Sequence, residues 1–385
     1  MNLMMRLKKL LISATVGLSV VASADVIIPA PPELAAKSYV LIDYDSGDIL
    51  VEYNANEQLP PASLTKLMTS YIAEQELIKG NISEDETTRV SVKAWQTGGS
   101  RMFIQEGTDV SMIDLLRGII IQSGNDASVA MAEHIAGSED AFVGIMNQTA
   151  AKLGLENTQF RNSTGLHDDE HYSSALDMAL LSAAVIRDNA EYYPLYAERE
   201  FEFNGINQPN RNRLLWRNPD VDGLKTGHTS EAGYSLVASA KVDGMRLIAS
   251  VFGTRSDEAR AQETQTLLSY GFRYFKTHTI FTADEVIETA RVWGGELDEL
   301  QLGVAEDVVK TIHRGAEDSL EAKLVINPVI KAPIAIGDEL GTLTVYKDGE
   351  ELLSRPVIAK QEVAKGGFFK RTWDAIKLFF WNIFN

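Results

Sequence analysis

Two hydrophobic periods alternate along this chain. "SYVLIDYDSGDILVEYN" (38–54) steps apolar and polar residues by two on either side of Asp45-Ser46-Gly47-Asp48, the pattern of a β-hairpin. After Pro60 and Pro61 the period changes, and Leu64, Leu67, Met68, Tyr71 and Ile72 recur at helical spacing. "SMIDLLRGIII", "DASVAMAEHIAG" and "SSALDMALLSAAVIRD" carry the same period. Strand patterning returns in "YSLVASAKVDGMRLIASVFG", two strands meeting at Asp243-Gly244, and "EARAQETQTLLSYGFRYF" reads as a closing helix. Strands at both ends with helices between predict an α+β unit over 25–282, one antiparallel sheet covered by helices.

From 283 to 362 the helical period disappears. "ETARVWG", "AKLVINP" and "GTLTVYKDGEELLSRPVIA" predict short strands, with a second hairpin at Asp348-Gly349, and hence a small all-β domain. Residues 363–385 form a third unit, a linker and an amphipathic helix. Phe369, Trp373, Ile376, Phe380 and Ile383 share one helical stripe, Lys370, Arg371, Asp374 and Lys377 occupy much of the rest, and Gly366-Gly367 make a joint before it.

The N-terminus differs from all of this. Arg6, Lys8 and Lys9 precede the apolar run Leu10 to Val21 and then Ala22-Ser23-Ala24, which predicts a cleaved secretory signal over 1–24. The apolar run is shorter than the ~20 residues that cross a bilayer.

Composition then narrows the function. A chain of 385 residues, 45% hydrophobic, has ample material for a large core. It contains no cysteine, so thiolate chemistry, disulfides and cysteine metal sites are excluded. A net charge of −18 argues against nucleic acid, whose phosphates need a basic face. "HDDEH" (His167 to His171) lacks the H-E-x-x-H spacing and falls in a loop-like stretch, so no metal or other cofactor is expected.

Three clusters carry candidate chemistry. Ser63 and Lys66, in "PASLTKLM", are three residues apart at a helix start, and their side chains project from one side. A lysine made neutral by burial and a neighbouring cation can take the proton of an attacking serine. Ser123 and Asn125, in "QSGNDAS", offer a hydroxyl and an amide between two helices. Lys225, Thr226, Gly227 and His228 open a strand in "VDGLKTGHTSEAGYSLV", where an extended substrate ending in a carboxylate could add as a further strand. Taken singly, each cluster also reads as a capped turn or a solvated charge.

The order S-x-x-K, S-x-N, K-T-G is the signature of penicillin-binding proteins and related β-lactamases. With the β domain and the tail, the chain resembles a low-molecular-mass penicillin-binding protein, a serine D-alanyl-D-alanine carboxypeptidase, over nearly all of 25–385. The resemblance implies the following roles. Ser63 attacks the carbonyl between the two terminal D-alanines of a peptidoglycan stem peptide, and penicillins acylate the same residue. Lys66 takes its proton, and Ser123 and Lys225 relay a proton towards the leaving D-alanine. Asn125 holds the peptide amide. Thr226 and Arg260, the latter in "SDEARAQET", hold the terminal carboxylate. The backbone N–H groups of Ser63 and His228 form an oxyanion hole, a contribution of roughly 3–4 kcal/mol per donor. The tail would rest on the outer face of a bacterial inner membrane. A β-lactamase, a transpeptidase and a non-catalytic cell-wall peptide binder are the alternatives. Two departures stand out: Thr164-Gly165-Leu166 replaces His-Gly-Leu, and "SVKAWQTGGSRMFIQEG" is short.

Overall fold

The computed structural model describes residues 29–384, so the leader expected at 1–24 lies outside it. Strands β1 (Ser38–Asp43) and β2 (Ile49–Tyr53) form the first hairpin, and β1 pairs on its other side with a strand two hundred residues later. The late strands are β3 (Val221–Thr229), β4 (Gly233–Val242) and β5 (Met245–Thr254). The sheet runs β2-β1-β5-β4-β3, every pair antiparallel, which leaves β3 on an edge. Asp243 and Gly244 both take positive φ, 50° and 88°, the turn that matches strand twist in a two-residue hairpin.

Alternation along the strands feeds two cores. On β4, Leu236, Ala238 and Ala240 enter one and Val237 the other; on β5, Leu247, Ala249 and Val251 oppose Ile248 and Phe252. Helices α1 (Lys66–Ile78), α2 (Asn125–Ala136) and α3 (Ala175–Asp188) cover the first face, and α4 (Asp257–Tyr274) covers the second. Ser174 and Ser256 start α3 and α4 by accepting from the N–H groups of Asp177 and Ala259. The α1 stripe expected from the sequence is wider in the fold: Lys66, Thr69, Ser70 and Glu74 are buried along with the apolar residues, so this helix runs inside the core.

The second unit begins at Phe275, where α4 gives way to β6 (Phe275–Phe281); β6 pairs with a strand at Val308–His313, so the ladder starts ahead of residue 283. Its larger sheet has six strands, two of them joined at Asp348-Gly349, around a core that includes Val292, Leu302, Leu343 and Val357.

The tail is helix α5 (Phe368–Phe384), seated on this unit by a narrow seam. Leu378 is buried, and Asp374 is buried as well, accepting the Gly294 N–H at 2.9 Å. Asp374 therefore does not face water with its charged neighbours, as the helical stripe suggested. The aromatic residues remain outward, Phe369 at 87% exposure and Phe379 at 62%. Among the described residues no helix is long and apolar enough to cross a membrane.

Candidate active site

Ser63 sits in a 3-10 turn, Ala62–Thr65, immediately before α1, and Lys66 is the first residue of the helix. Such a turn eclipses residues i and i+3, so it aligns the two side chains more closely than an α-helix would. Lys66 Nζ lies 3.1 Å from Ser63 Oγ and 2.7 Å from Asn125 Oδ1, and it also donates to the Thr164 carbonyl. The amine is wholly buried. Burial, reinforced by the nearby Arg211 guanidinium, pushes its pKa down to about 7.

The turn is clamped by two glycines. Ala62 carries a positive φ of 47°, which brings its carbonyl against the Thr164–Leu166 loop. A Cβ on Gly165 would stand 1.8 Å from that carbonyl oxygen. On the other side, a Cβ on Gly227 would stand 2.8 Å from the Pro61 oxygen, so the glycine of K-T-G is the condition for β3 to close on the nucleophile.

The three clusters converge on one cleft of about 710 Å³. Ser63, Ser123, Asn125, Thr226, Gly227, His228 and Arg260 all line it. Lys225 is buried, and burial, with Lys66, Arg211 and Arg260 nearby, holds its pKa well below the ordinary lysine value. Ser123 takes a left-handed φ of 66°, and its buried hydroxyl has no partner among the described residues. A strained backbone that aims an unsatisfied hydroxyl into a cleft fits a site waiting for a substrate atom. Asn125 Nδ2 donates to the Gly98 carbonyl at 2.6 Å, which fixes the amide orientation with Oδ1 towards Lys66.

Arg260 is more committed than the sequence suggested. It donates to the Gly227 carbonyl at 3.1 Å, pairs with Asp257 and lies over the Tyr234 ring. It braces β3 as well as lining the cleft. Arg211, not singled out from the sequence, lines the same cleft with an exposed side chain that has no ion pair or hydrogen bond among the described residues. Its segment follows the hairpin Glu200–Phe203 and Ile206–Pro209, whose Asn204-Gly205 turn was the available signal. Asp126 was also missed. Its carboxylate accepts the N–H groups of Met102, Phe103, Ile104 and Ala127, pinning residues 102–104 of the 91–107 segment beside Asn125.

Thr164 contributes its backbone carbonyl to Lys66, a role open to any residue, while its hydroxyl bonds Asn162. His171 is buried. Its Nδ1 accepts the Arg161 N–H and its Nε2 lies 2.8 Å from Thr65 Oγ1, so Nε2 carries the proton. Burial pushes its pKa down to about 4 and keeps it neutral. His167 is exposed, apart from this network.

A serine whose hydroxyl meets a buried, neutralised lysine, with a second such lysine and a free hydroxyl nearby, defines a serine acyl-transfer enzyme of the S-x-x-K type. Residues 25–256 match the D-alanyl-D-alanine carboxypeptidase model, and 275–365 match the C-terminal domain of penicillin-binding protein 5. The chain belongs to the D-alanyl-D-alanine carboxypeptidase family. It is 46% identical to the D-alanyl-D-alanine carboxypeptidase DacA of Escherichia coli (strain K12), across 92% of this chain and 90% of that protein. The crystal structure of penicillin binding protein 5 from Haemophilus influenzae superposes with a TM-score of 0.83 at 41% identity, covering 88% of this chain and all of that one. Penicillin-binding protein D2 from Listeria monocytogenes in its ampicillin-bound form matches 63% of this chain and all of that one, at 29% identity with a TM-score of 0.58.

Proposed function

We propose that the chain removes the terminal D-alanine from peptidoglycan stem peptides through an acyl-enzyme on Ser63, and that penicillins acylate the same serine. The observation that carries this is the 3.1 Å approach of Ser63 Oγ to an amine whose pKa lies near 7. Ser63 attacks the carbonyl carbon of the penultimate D-alanine and passes its proton to Lys66. The peptide C–N bond breaks, and the leaving D-alanine nitrogen takes a proton by way of Ser123 and Lys225. Water then cleaves the ester and restores Ser63. Asn125 holds the substrate amide, Thr226 with Arg260 and Arg211 holds the terminal carboxylate, and the N–H groups of Ser63 and His228 receive the oxyanion.

The geometry favours hydrolysis of peptides over hydrolysis of penicillin. A class A β-lactamase activates its deacylating water with a free carboxylate. Among the described residues Asp257 is the carboxylate lining the cleft, and it is engaged by Arg213 and Arg260. On the same reading the enzyme works in the periplasm on the outer face of the inner membrane, resting there through 366–385. The leader pattern of 1–24 and the outward aromatic face of α5 support this placement.

The test is a peptide ending in D-Ala-D-Ala with an assay for free D-alanine, alongside a fluorescent penicillin. Ser63→Ala should lose both activities with unchanged thermal unfolding. Covalent labelling of the alanine variant would place the nucleophile elsewhere.

A further inference from the structure

Where α5 meets the second unit they enclose a separate cleft of about 420 Å³. Trp293, Leu378 and Phe379 supply an apolar wall, and Lys331, Lys365 and Arg371 bring three cations to the same space. This is a local excess of positive charge on a chain of net charge −18. Among the described residues none of the three cations has an ion pair or a side-chain hydrogen bond, and all three are exposed. Asp374 is the acid of the lining, and it is engaged by the Gly294 N–H at 2.9 Å and by Arg291 at 3.7 Å. The cations therefore remain available to a ligand.

The wall is continuous with the outward aromatic face. Phe379 belongs to both, and Phe380 beside it is 53% exposed. The cleft thus combines positive charge with an apolar wall that includes Phe379 of the outward helix face. A ligand that satisfies both features carries a phosphate and an acyl chain. We infer that this cleft binds the headgroup of an anionic phospholipid, with the phosphate against Lys331, Lys365 and Arg371 and the first acyl segment along Leu378 and Phe379. The inference rests on the membrane reading above and makes it specific. The aromatic face supplies general adhesion, and the cleft selects anionic lipid.

The test uses the intact protein in uncharged detergent, titrated with dihexanoyl phosphatidylglycerol and followed by native mass spectrometry. One lipid should bind per chain, saturably. Dihexanoyl phosphatidylcholine, whose choline meets three cations, should bind far more weakly, and inorganic phosphate should compete poorly because it leaves the apolar wall unfilled. A cation near an anionic surface contributes roughly a fivefold change in affinity. Lys331→Gln with Lys365→Gln should therefore weaken phosphatidylglycerol binding by about 25-fold. Lys377→Gln, which removes a cation stacked on Trp373 outside the cleft, should cost no more than about fivefold. Equal binding of the two lipids, equal losses in the two variants, or full competition by inorganic phosphate would overturn the inference. Vesicle flotation separates it from the reading beneath it. Intact protein that does not float with any vesicle, or a chain lacking 366–385 that still floats, defeats the membrane reading. A double variant that floats on phosphatidylcholine vesicles and has lost its preference for phosphatidylglycerol supports both.

Discussion

Glu74→Gln should make the stability of the catalytic unit less dependent on pH, and the size of the effect follows from where Glu74 sits. It lies on α1, two turns beyond Lys66, and is wholly buried. Asn189 Nδ2 donates to one carboxyl oxygen, and Tyr196 Oη lies 2.8 Å from the other. Tyr196 meets Ser70 Oγ at 2.7 Å, and Ser70 donates to the Lys66 carbonyl, so the chain of contacts ends on the residue beside the nucleophile's turn. Burial raises the Glu74 pKa from 4.5 to about 8. Below pH 4.5 both folded and unfolded states are protonated. Between 4.5 and 8 the unfolded state releases a proton that the folded state keeps, so stability falls as pH rises. At 1.36 kcal/mol per unit, the fall between pH 5 and pH 8 is about 3 kcal/mol. Glutamine reproduces the neutral acid, with its amide donating to Tyr196, and does not titrate. Denaturant unfolding of both proteins from pH 5 to pH 8, followed by a probe in the catalytic unit, should show the variant gaining about 3 kcal/mol on the wild type across that range. A difference that stays constant with pH would show that Glu74 is ionised in the folded protein and would refute the argument.

Lys66 must be neutral to accept a proton, so kcat/KM for D-alanine release should fall about tenfold per unit below pH 7 and level off above it. Arg211→Gln should move that midpoint upward, and a midpoint that stays put would remove Arg211 as a cause. Arg260→Ala orphans the Gly227 carbonyl and removes a carboxylate partner, so it should weaken turnover of both substrates, the free C-terminus more than the amidated one. Arg211→Ala should discriminate against the free carboxylate, and equal losses there would take Arg211 out of carboxylate binding. Gly165→Ala forces a Cβ into the Ala62 carbonyl at a φ of 79°, so penicillin labelling should drop by orders of magnitude; normal labelling would show that the nucleophile's turn tolerates displacement.

The hairpins at Asp243-Gly244 and Asp348-Gly349 are legible because their turn demands two left-handed residues, a local requirement written in adjacent letters. The three motifs are legible because their chemistry is local too: Ser63 and Lys66 need only a turn between them. What long-range packing decides is hidden. Gly165 reads as an ordinary loop glycine until the Ala62 carbonyl arrives from a hundred residues away. Asp126 reads as a helix-start acid until the 102–104 amides fold onto it. Thr164 looked like a lost histidine, and the structure shows that the contact made with Lys66 belongs to the backbone. Asp374 followed the polar stripe of its helix, yet the docking seam takes it inward, because a carboxylate that accepts a backbone N–H can be buried where a solvated one cannot.

The burial of α1 explains why the sequence tolerates two ionisable residues there. Lys66 is depressed from 10.5 to about 7 and Glu74 is raised from 4.5 to about 8, so between pH 7 and pH 8 both are largely neutral inside the fold. In the unfolded chain both are charged over that interval. Folding must discharge them, at about 4 kcal/mol each. For Glu74 the cost grows as pH rises from 4.5 to 8. For Lys66 it is complete below 7 and fades only as pH climbs to 10.5. The two costs overlap most between pH 7 and pH 8, where a neutral Lys66 can act as a base. The helix is therefore least favourable to stability in the interval where it is most useful to catalysis. The apolar surroundings that impose this cost, Leu64, Leu67, Met68 and Ile72, all of them buried, are also what hold the amine near neutrality. A solvated Lys66 would stabilise the fold and remain protonated beside Ser63.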